Sequence, residues 1–446
     1  MATGSFFKRI IGDFVRPSKA AGRPVRKARD ALKLCQALLS ERGEVSGATL
    51  AREVLSECEQ LPEPAWSPFF DLLASNFSPD PGEIRRAAEA WLGESTADNL
   101  LRLQSAVEPL RQELFRRLNM APGGTAALIA MRRRVLAGLK THPEWKSVDA
   151  DLAHLLGSWF NRGFLTLQRI DWRTPAMVLE KLIAHEAVHQ IRGWDDLRRR
   201  LENDRRCFAF FHPVLPDEPL IFIEVALTKS MSATVRTLLD PGATVDDPAR
   251  ADTATFYSIT NCQEGLRGIS FGNMLIKQVA EEIGRQLPRV QRYATLSPIP
   301  GFCAWLSDAR SRIGALARGS ALLAELDRLA APGWHRDTQD PGALKPLLMQ
   351  LCASYLLETG HDGEPIDTVA RFHLRNGARI ERLNWLADDS EQGMRRSAGL
   401  MVNYMYDLEQ VERNHEAYVK VGQVAASHEL RALLRASPLS RPAVKA

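Results

Sequence analysis

From Ala28 to about Phe164, apolar residues recur at the three- and four-residue spacing of buried helix faces, and no run alternates as a strand would. Asp80-Pro81-Gly82-Glu83 is a good helix start, with Asp as N-cap, Pro at the first position and Glu at the third. Ile84, Ala87, Ala88, Trp91 and Leu92 then follow at the spacing of one buried face. Similar periodicity runs through 29–42, 47–60, 98–119, 124–140 and 147–163, with breaks at Pro62-Glu63-Pro64, Pro122-Gly123-Gly124 and His142-Pro143. The expectation is an all-α helical bundle of roughly six or seven helices, structural or serving assembly, without a cluster of reactive side chains.

After about residue 170 the pattern becomes mixed α/β. Phe208 to Phe211 is a short apolar run, and Leu220 to Leu227 reads as a strand buried on both faces. Its one carboxylate, Glu224, is expected to pair with a base, because buried acids need partners. Phe256 to Asn261 is β-branched and aromatic, a further strand, and glycines follow at 265, 268 and 272. From Asn273 the period changes. Met274, Leu275, Val279 and Ile283, with Lys277, Glu281, Glu282 and Arg285 between them, describe an amphipathic helix closed by Pro288. Val290 to Leu296 suits another strand, which completes a βαβ unit with a glycine-rich first turn. Such a unit lines up both strand C-termini and the helix N-terminus on one edge, where free N–H groups favour phosphate. Ser297 falls just beyond the second strand, close to where a phosphorylated ligand would extend.

Composition adds limits. The chain has 446 residues, enough for two or three domains, and a formal charge of +4, which makes no case for nucleic acid. That weak positive field suits an anionic ligand. No apolar run approaches the roughly 18 residues that would span a membrane. Cysteines 35, 58, 207, 262, 303 and 352 form no Cys-x-x-Cys pair, which points to reduced thiols in a cytoplasmic chain. Residues 1–28 are basic, with Asp13 their one acid, and are expected to form a flexible arm; a transit peptide is the other reading.

Ile183-Ala184-His185-Glu186-Ala187-Val188-His189 contains His-Glu-x-x-His in what reads as a helix. On a helix, His185 and His189 would share a face and bind Zn²⁺, with Glu186 as general base of a metalloprotease. No third ligand stands out among Glu202, Glu218 and Glu224.

Arg267-Gly268-Ile269-Ser270-Phe271-Gly272-Asn273-Met274-Leu275 resembles the pyrophosphate loop of acetyltransferase-like (GNAT) folds, with Ser270 in place of the middle glycine. A longer set of phrases resembles the malonyl-CoA decarboxylase family. It includes His212-Pro213-x-x-Pro216-x-Glu218-Pro219-Leu220, Phe256-Tyr257-Ser258-Ile259 and Gln263-x-Gly265-Leu266-x-Gly268. It continues with Leu296-Ser297-Pro298-Ile299-Pro300-Gly301-Phe302, Phe372-His373-Leu374-x-Asn376-Gly377-Ala378 and Asn403-Tyr404-x-Tyr406. The order and spacing are those of the family.

The resemblance implies an α+β two-domain chain: a helical, oligomerising domain at 29–168, then a GNAT-like α/β catalytic domain at 169–440. It implies a lyase of malonate and fatty-acid metabolism that converts malonyl-CoA to acetyl-CoA and CO₂ as a homo-oligomer, without nucleic-acid or membrane partners. Ser297 and His373 match the family's catalytic pair. Arg267, Gly268, Ile269, Ser270, Phe271, Gly272 and Asn273 match its CoA-binding loop, and Tyr406 matches a tyrosine that lines the site. Some relatives carry an acid where this chain has Ser270. The histidine-rich phrase falls where the family has a similar segment that binds no metal.

The chemistry agrees with that reading. Loss of CO₂ from a malonyl thioester leaves an enolate whose electrons the thioester carbonyl accepts, so no added cofactor is required. The protein has to orient the carboxylate, stabilise the oxyanion and protonate carbon. A histidine titrating near neutrality suits the last task. A GNAT-type acyltransferase is the alternative function, and the zinc protease a more distant one.

Overall fold

The computed structural model describes residues 22–41, 43–269, 275–331, 333–336, 342–358 and 363–440. Two compact units divide the chain. The first runs to Leu165 and takes in 213–215 and the described residues of 263–271; the second holds the remainder.

Helices fill the first unit: α1 (Arg23–Ser40), α2 (Glu44–Glu59), α3 (Glu63–Asn76), α4 (Pro81–Gly93), α5 (Ala97–Val107), α6 (Leu110–Asn119), α7 (Gly124–Gly138) and α8 (Lys146–Trp159). In α1 the buried residues Ala28, Ala31, Leu32, Cys35, Leu38 and Leu39 trace one stripe. That helix begins at Arg23, within the stretch expected to be a flexible arm. A helix also starts where Pro62-Glu63-Pro64 suggested a break, because proline in a first turn gives up an N–H that has no partner anyway. The periodic run 98–119 is two helices, divided at Glu108-Pro109.

Asp80 caps α4 as expected, accepting the Gly82 N–H at 2.8 Å. The apolar face predicted to be buried is only partly so: Ile84, Ala87, Ala88 and Trp91 are half-buried, neither α4 nor α5 buries a residue fully, and Leu92 is 74% and Leu101 59% exposed.

The second unit is built on an eight-stranded sheet: β1 (Thr166–Ile170), β2 (Arg205–Phe211), β3 (Ile221–Thr228), β4 (Thr253–Asn261), β5 (Arg292–Thr295), β6 (Ser297–Pro298), β7 (Arg379–Asn384) and β8 (Met401–Met405). The order is β1-β2-β3-β4-β5-β8-β6, with β7 also on β8. All pairings are antiparallel except β4 with β5, the parallel pair predicted from the sequence. The principal helices of this unit for the site are α9 (Ala176–His185), α10 (Trp194–Arg200), α11 (Leu275–Gln286), α12 (Phe302–Gly314), α13 (Leu344–Leu357) and α14 (Thr368–Arg375).

Helix α11 is the crossover, and it buries Leu275, Ile276, Val279, Ala280 and Ile283. On α9, Val178, Leu179 and Leu182 pack with Cys207, Ala209 and Phe222. Each such large aliphatic side chain contributes roughly 1.5–3 kcal/mol by leaving water. The architecture is therefore an N-terminal helical region followed by a mixed α/β sheet unit.

One irregularity in the sheet governs the site. Strand β8 pairs with β5 at Ala294↔Met405 and with β6 at Ser297↔Val402 and Pro298↔Met401. Between those pairings the ladder is interrupted, and Thr295 and Leu296 lie opposite the gap.

Candidate functional site

Alternation along β5 and β6 sends Leu296 into an apolar cluster with Tyr257 and Met401, and puts Thr295 and Ser297 together on the other face. Pro298 and Pro300 then restrict the backbone up to Gly301, where α12 begins.

His373 comes from α14. Asp367 caps this helix by accepting the Ala370 N–H at 2.7 Å, and its other oxygen accepts the Tyr355 hydroxyl at 3.0 Å. Tyr355, on α13, also lies against Gly301: a Cβ on that glycine would come within 2.2 Å of the Tyr355 Oη. At its far end α14 stops at Asn376-Gly377, where Gly377 has φ +79° and a Cβ would meet the Val411 carbonyl.

These supports bring Ser297, His373 and Tyr406 into one buried chain of hydrogen bonds. Ser297 Oγ lies 3.0 Å from His373 Nε2, and Tyr406 Oη lies 2.8 Å from His373 Nδ1. Ser297 Oγ donates to Thr295 Oγ1 at 2.8 Å. The imidazole stacks on Tyr404, with ring centres 4.3 Å apart. Thr295 and Tyr404 are fully buried and Tyr406 and His373 nearly so.

Burial sets the electrostatics. It pushes the His373 imidazole down from an ordinary 6.5 to about 3. The C-terminal end of a helix favours positive charge, but here desolvation outweighs it. His373 is therefore neutral at physiological pH, which corrects the expectation of a group that titrates near neutrality. Burial likewise raises Tyr406 well above its ordinary value, so its hydroxyl keeps its proton.

Behind Thr295 a polar network fills the gap in the ladder. Thr295 Oγ1 accepts the Tyr404 N–H at 3.1 Å, and Asn403 Nδ2 donates to the Thr295 carbonyl at 2.6 Å. Asn403 Oδ1 in turn accepts from Asn384 at 2.8 Å and from Arg382 Nε at 3.2 Å. Sequence reading assigned no role to these residues, although Asn403 and Tyr404 stand in a family phrase and the period of a strand places Thr295 beside Ser297.

Of the expected CoA loop, Arg267 and Gly268 are exposed and Ile269 is partly buried. Gly268 has φ +81°, which favours glycine. Ser270, Phe271, Gly272 and Asn273 lie outside the described residues. The loop's start is fixed from below by Arg132 of α7, which donates to the carbonyls of Gly265 at 2.7 Å and Arg267 at 3.0 Å. Gly265 itself sits against Ile129, leaving no room for a Cβ. Arg132 pairs with Asp149 at 2.8 Å and was also missed.

The His-Glu-x-x-His phrase does not lie on one helix. Helix α9 ends at His185, and Glu186 is extended. The Glu186 carboxylate accepts the N–H groups of Val188 and His189 at 2.7 Å each, and the hydroxyls of Ser258 at 2.8 Å and Thr260 at 3.3 Å. Those bonds turn the chain away from helix, so the i, i+4 geometry for Zn²⁺ is not formed. The side-chain cluster with converging metal-ligand atoms found among the described residues is elsewhere, at Asp71, His142 and Glu144. Glu224 pairs with Arg200 of α10, as expected of a buried acid; burial raises its carboxyl and the guanidinium opposes that.

Comparison with known proteins agrees with this architecture. The malonyl-CoA decarboxylase C-terminal domain profile matches residues 163–444, and the N-terminal domain profile matches 77–160. The mitochondrial malonyl-CoA decarboxylase of Anser anser anser is 34% identical over 390 residues, covering 80% of this chain and 77% of that protein. The crystal structure of malonyl-CoA decarboxylase from Rhodopseudomonas palustris has a TM-score of 0.87 at 52% identity, covering 91% of this chain and 99% of its own. The structure from Agrobacterium vitis follows at 0.84 and 48%, with the same coverage. With matches along both the helical and the sheet regions, this chain belongs to the malonyl-CoA decarboxylase family.

Proposed function

We propose that this chain is a carboxy-lyase that converts malonyl-CoA to acetyl-CoA and CO₂, with Ser297 and His373 as its reacting pair. The observation that carries the reading is the buried Ser297–His373–Tyr406 relay in a chain of this family.

The C–C bond to the malonyl carboxylate breaks and its electron pair moves onto the thioester carbonyl as an enolate. The enolate carbon then takes a proton through His373 and Ser297, and solvent restores it. Because His373 is neutral, the proton leaves an imidazole N–H as the Tyr406 hydroxyl proton passes to the other ring nitrogen, so the ring stays neutral and solvent then reprotonates the tyrosine. A dry site strengthens each of these hydrogen bonds and holds water away from the enolate. Arg267 to Asn273 takes the CoA pyrophosphate, with exposed Arg267 supplying positive charge.

Residues 29–168 form the oligomerising domain and 169–440 the catalytic domain. The exposed Leu92, Leu100, Leu101 and Val107 of α4 and α5 support homo-oligomer formation through the former. The cysteines are all free thiols, which supports a reducing, cytoplasmic compartment, although the curated relatives are named as mitochondrial. Among the described residues, no helix is long and apolar enough to cross a membrane.

Incubation with malonyl-CoA and EDTA tests the proposal by the appearance of acetyl-CoA. Release of CoA only with an added amine would instead identify an acyltransferase of the same fold, and loss of turnover on chelation would overturn the metal-free reaction.

A further inference from the structure

We propose that Thr295 is a positioning residue that fixes the direction of the hydrogen-bond chain, and with it the tautomer of His373. The inference rests on the reading of Ser297 and His373 as the reacting pair, and adds a residue and a proton position to it.

Ser297 has one hydroxyl hydrogen and two neighbours, Thr295 Oγ1 at 2.8 Å and His373 Nε2 at 3.0 Å. The geometry has Ser297 donating to Thr295. Its bond to His373 can then exist only if Nε2 carries the proton and Ser297 Oγ accepts it. A neutral imidazole has one N–H, so Nδ1 is bare and accepts from Tyr406 at 2.8 Å. The order is Tyr406 to His373 to Ser297 to Thr295, with every hydrogen pointing the same way.

Thr295 is held in place as a fixed acceptor. It is fully buried, its Oγ1 also takes the Tyr404 N–H, and its carbonyl takes the Asn403 amide. The interruption between β5 and β8 leaves the Tyr404 N–H available for that side chain. Without Thr295 Oγ1, Nε2 is the partner left to the Ser297 hydroxyl among the described residues. It would turn to donate there, and the His373 proton would move to Nδ1 and point to Tyr406. The reacting end of the pair would then lack its N–H.

Selective ¹⁵N labelling of histidine, with the His373 signal assigned by its loss in His373→Gln, reads the tautomer directly. The expected result is an Nε2–H imidazole in the wild type and in Thr295→Ser, and an Nδ1–H imidazole in Thr295→Val. In Thr295→Val, kcat should fall roughly 10- to 100-fold, within the range that positioned proton transfer contributes, with KM nearly unchanged. Thr295→Ser should restore it. An Nδ1–H imidazole in the wild type overturns the proposal, whether or not the valine variant folds. So does a valine variant that folds with its tautomer unchanged. Full activity in His373→Ala would instead defeat the catalytic reading, while the tautomer of the wild type would still be measured.

Discussion

Ser297 and His373 meet across a 3.0 Å hydrogen bond although 76 residues separate them in the chain. One stands on a sheet strand and the other on a capped helix, so neither is placed by its sequence neighbours alone. Removing either should strike turnover more than binding. His373→Ala is expected to lower kcat by roughly 10²–10⁴-fold and Ser297→Ala by a smaller factor, followed as acetyl-CoA formed. Wild-type turnover in His373→Ala would sink the mechanism.

Tyr406→Phe isolates the rear of the relay. It leaves Nδ1 of a buried imidazole without its donor, a change worth roughly 1–3 kcal/mol. A lower kcat with KM nearly constant is expected in steady-state assays, while the far-ultraviolet circular dichroism stays that of the wild type.

The buried imidazoles make a prediction about acid. His373 sits at about 3 and His189 at about 4, both lowered by burial from an ordinary 6.5. Between those values and 6.5 the unfolded chain binds more protons than the folded one, so stability rises with pH across that window and is lost as pH falls through it. Urea unfolding at pH 7.5 and pH 5 then measures a difference to which these two imidazoles contribute lower stability at pH 5, against the opposite contribution of the raised Glu224 carboxyl. His373→Gln should make the difference smaller; an unchanged difference would mean that His373 is not neutral in the fold.

Arg132 offers a way to loosen the proposed CoA loop without touching it. Arg132→Met removes two hydrogen bonds to loop carbonyls and strands Asp149, at a cost of roughly 2–4 kcal/mol. Substrate KM is expected to rise with kcat little changed, together with a lower melting temperature. A stability loss with unaltered KM would show that this end of the loop does not position ligand.

The exposed faces of α4 and α5 give an assembly test. Leu92→Glu combined with Leu101→Glu puts charge on both bare surfaces while burying none. Light scattering after size exclusion should find a smaller species than the wild type; an unchanged mass would place any oligomer contact elsewhere.

Local signals were legible where they have a period. Leu275, Val279 and Ile283 marked α11, and the Phe256 run marked β4, because one buried face repeats along each. The same logic failed at Leu92, which ends a periodic stripe and stays 74% exposed among the described residues. It failed at Glu186 for a different reason: Ser258 and Thr260, more than seventy residues away, draw the carboxylate out of helical geometry. Arg132 is one of three consecutive arginines, and only the fold reveals that it is the buried one. His373 emerged through family phrases because no spacing rule links it to Ser297.

The contacts around Tyr355 carry a mechanical consequence. From Ser297 the chain runs through two prolines to Gly301, against which the Tyr355 ring rests; its hydroxyl holds Asp367, and Asp367 fixes the helix that bears His373. The Ser297–His373 bond closes this path into a ring, so the distance between the two side chains is set twice, once directly and once around the circuit. A linkage closed in this way has fewer independent motions than its parts, and a small change at Gly301 or Tyr355 would be felt at the serine as a change in alignment.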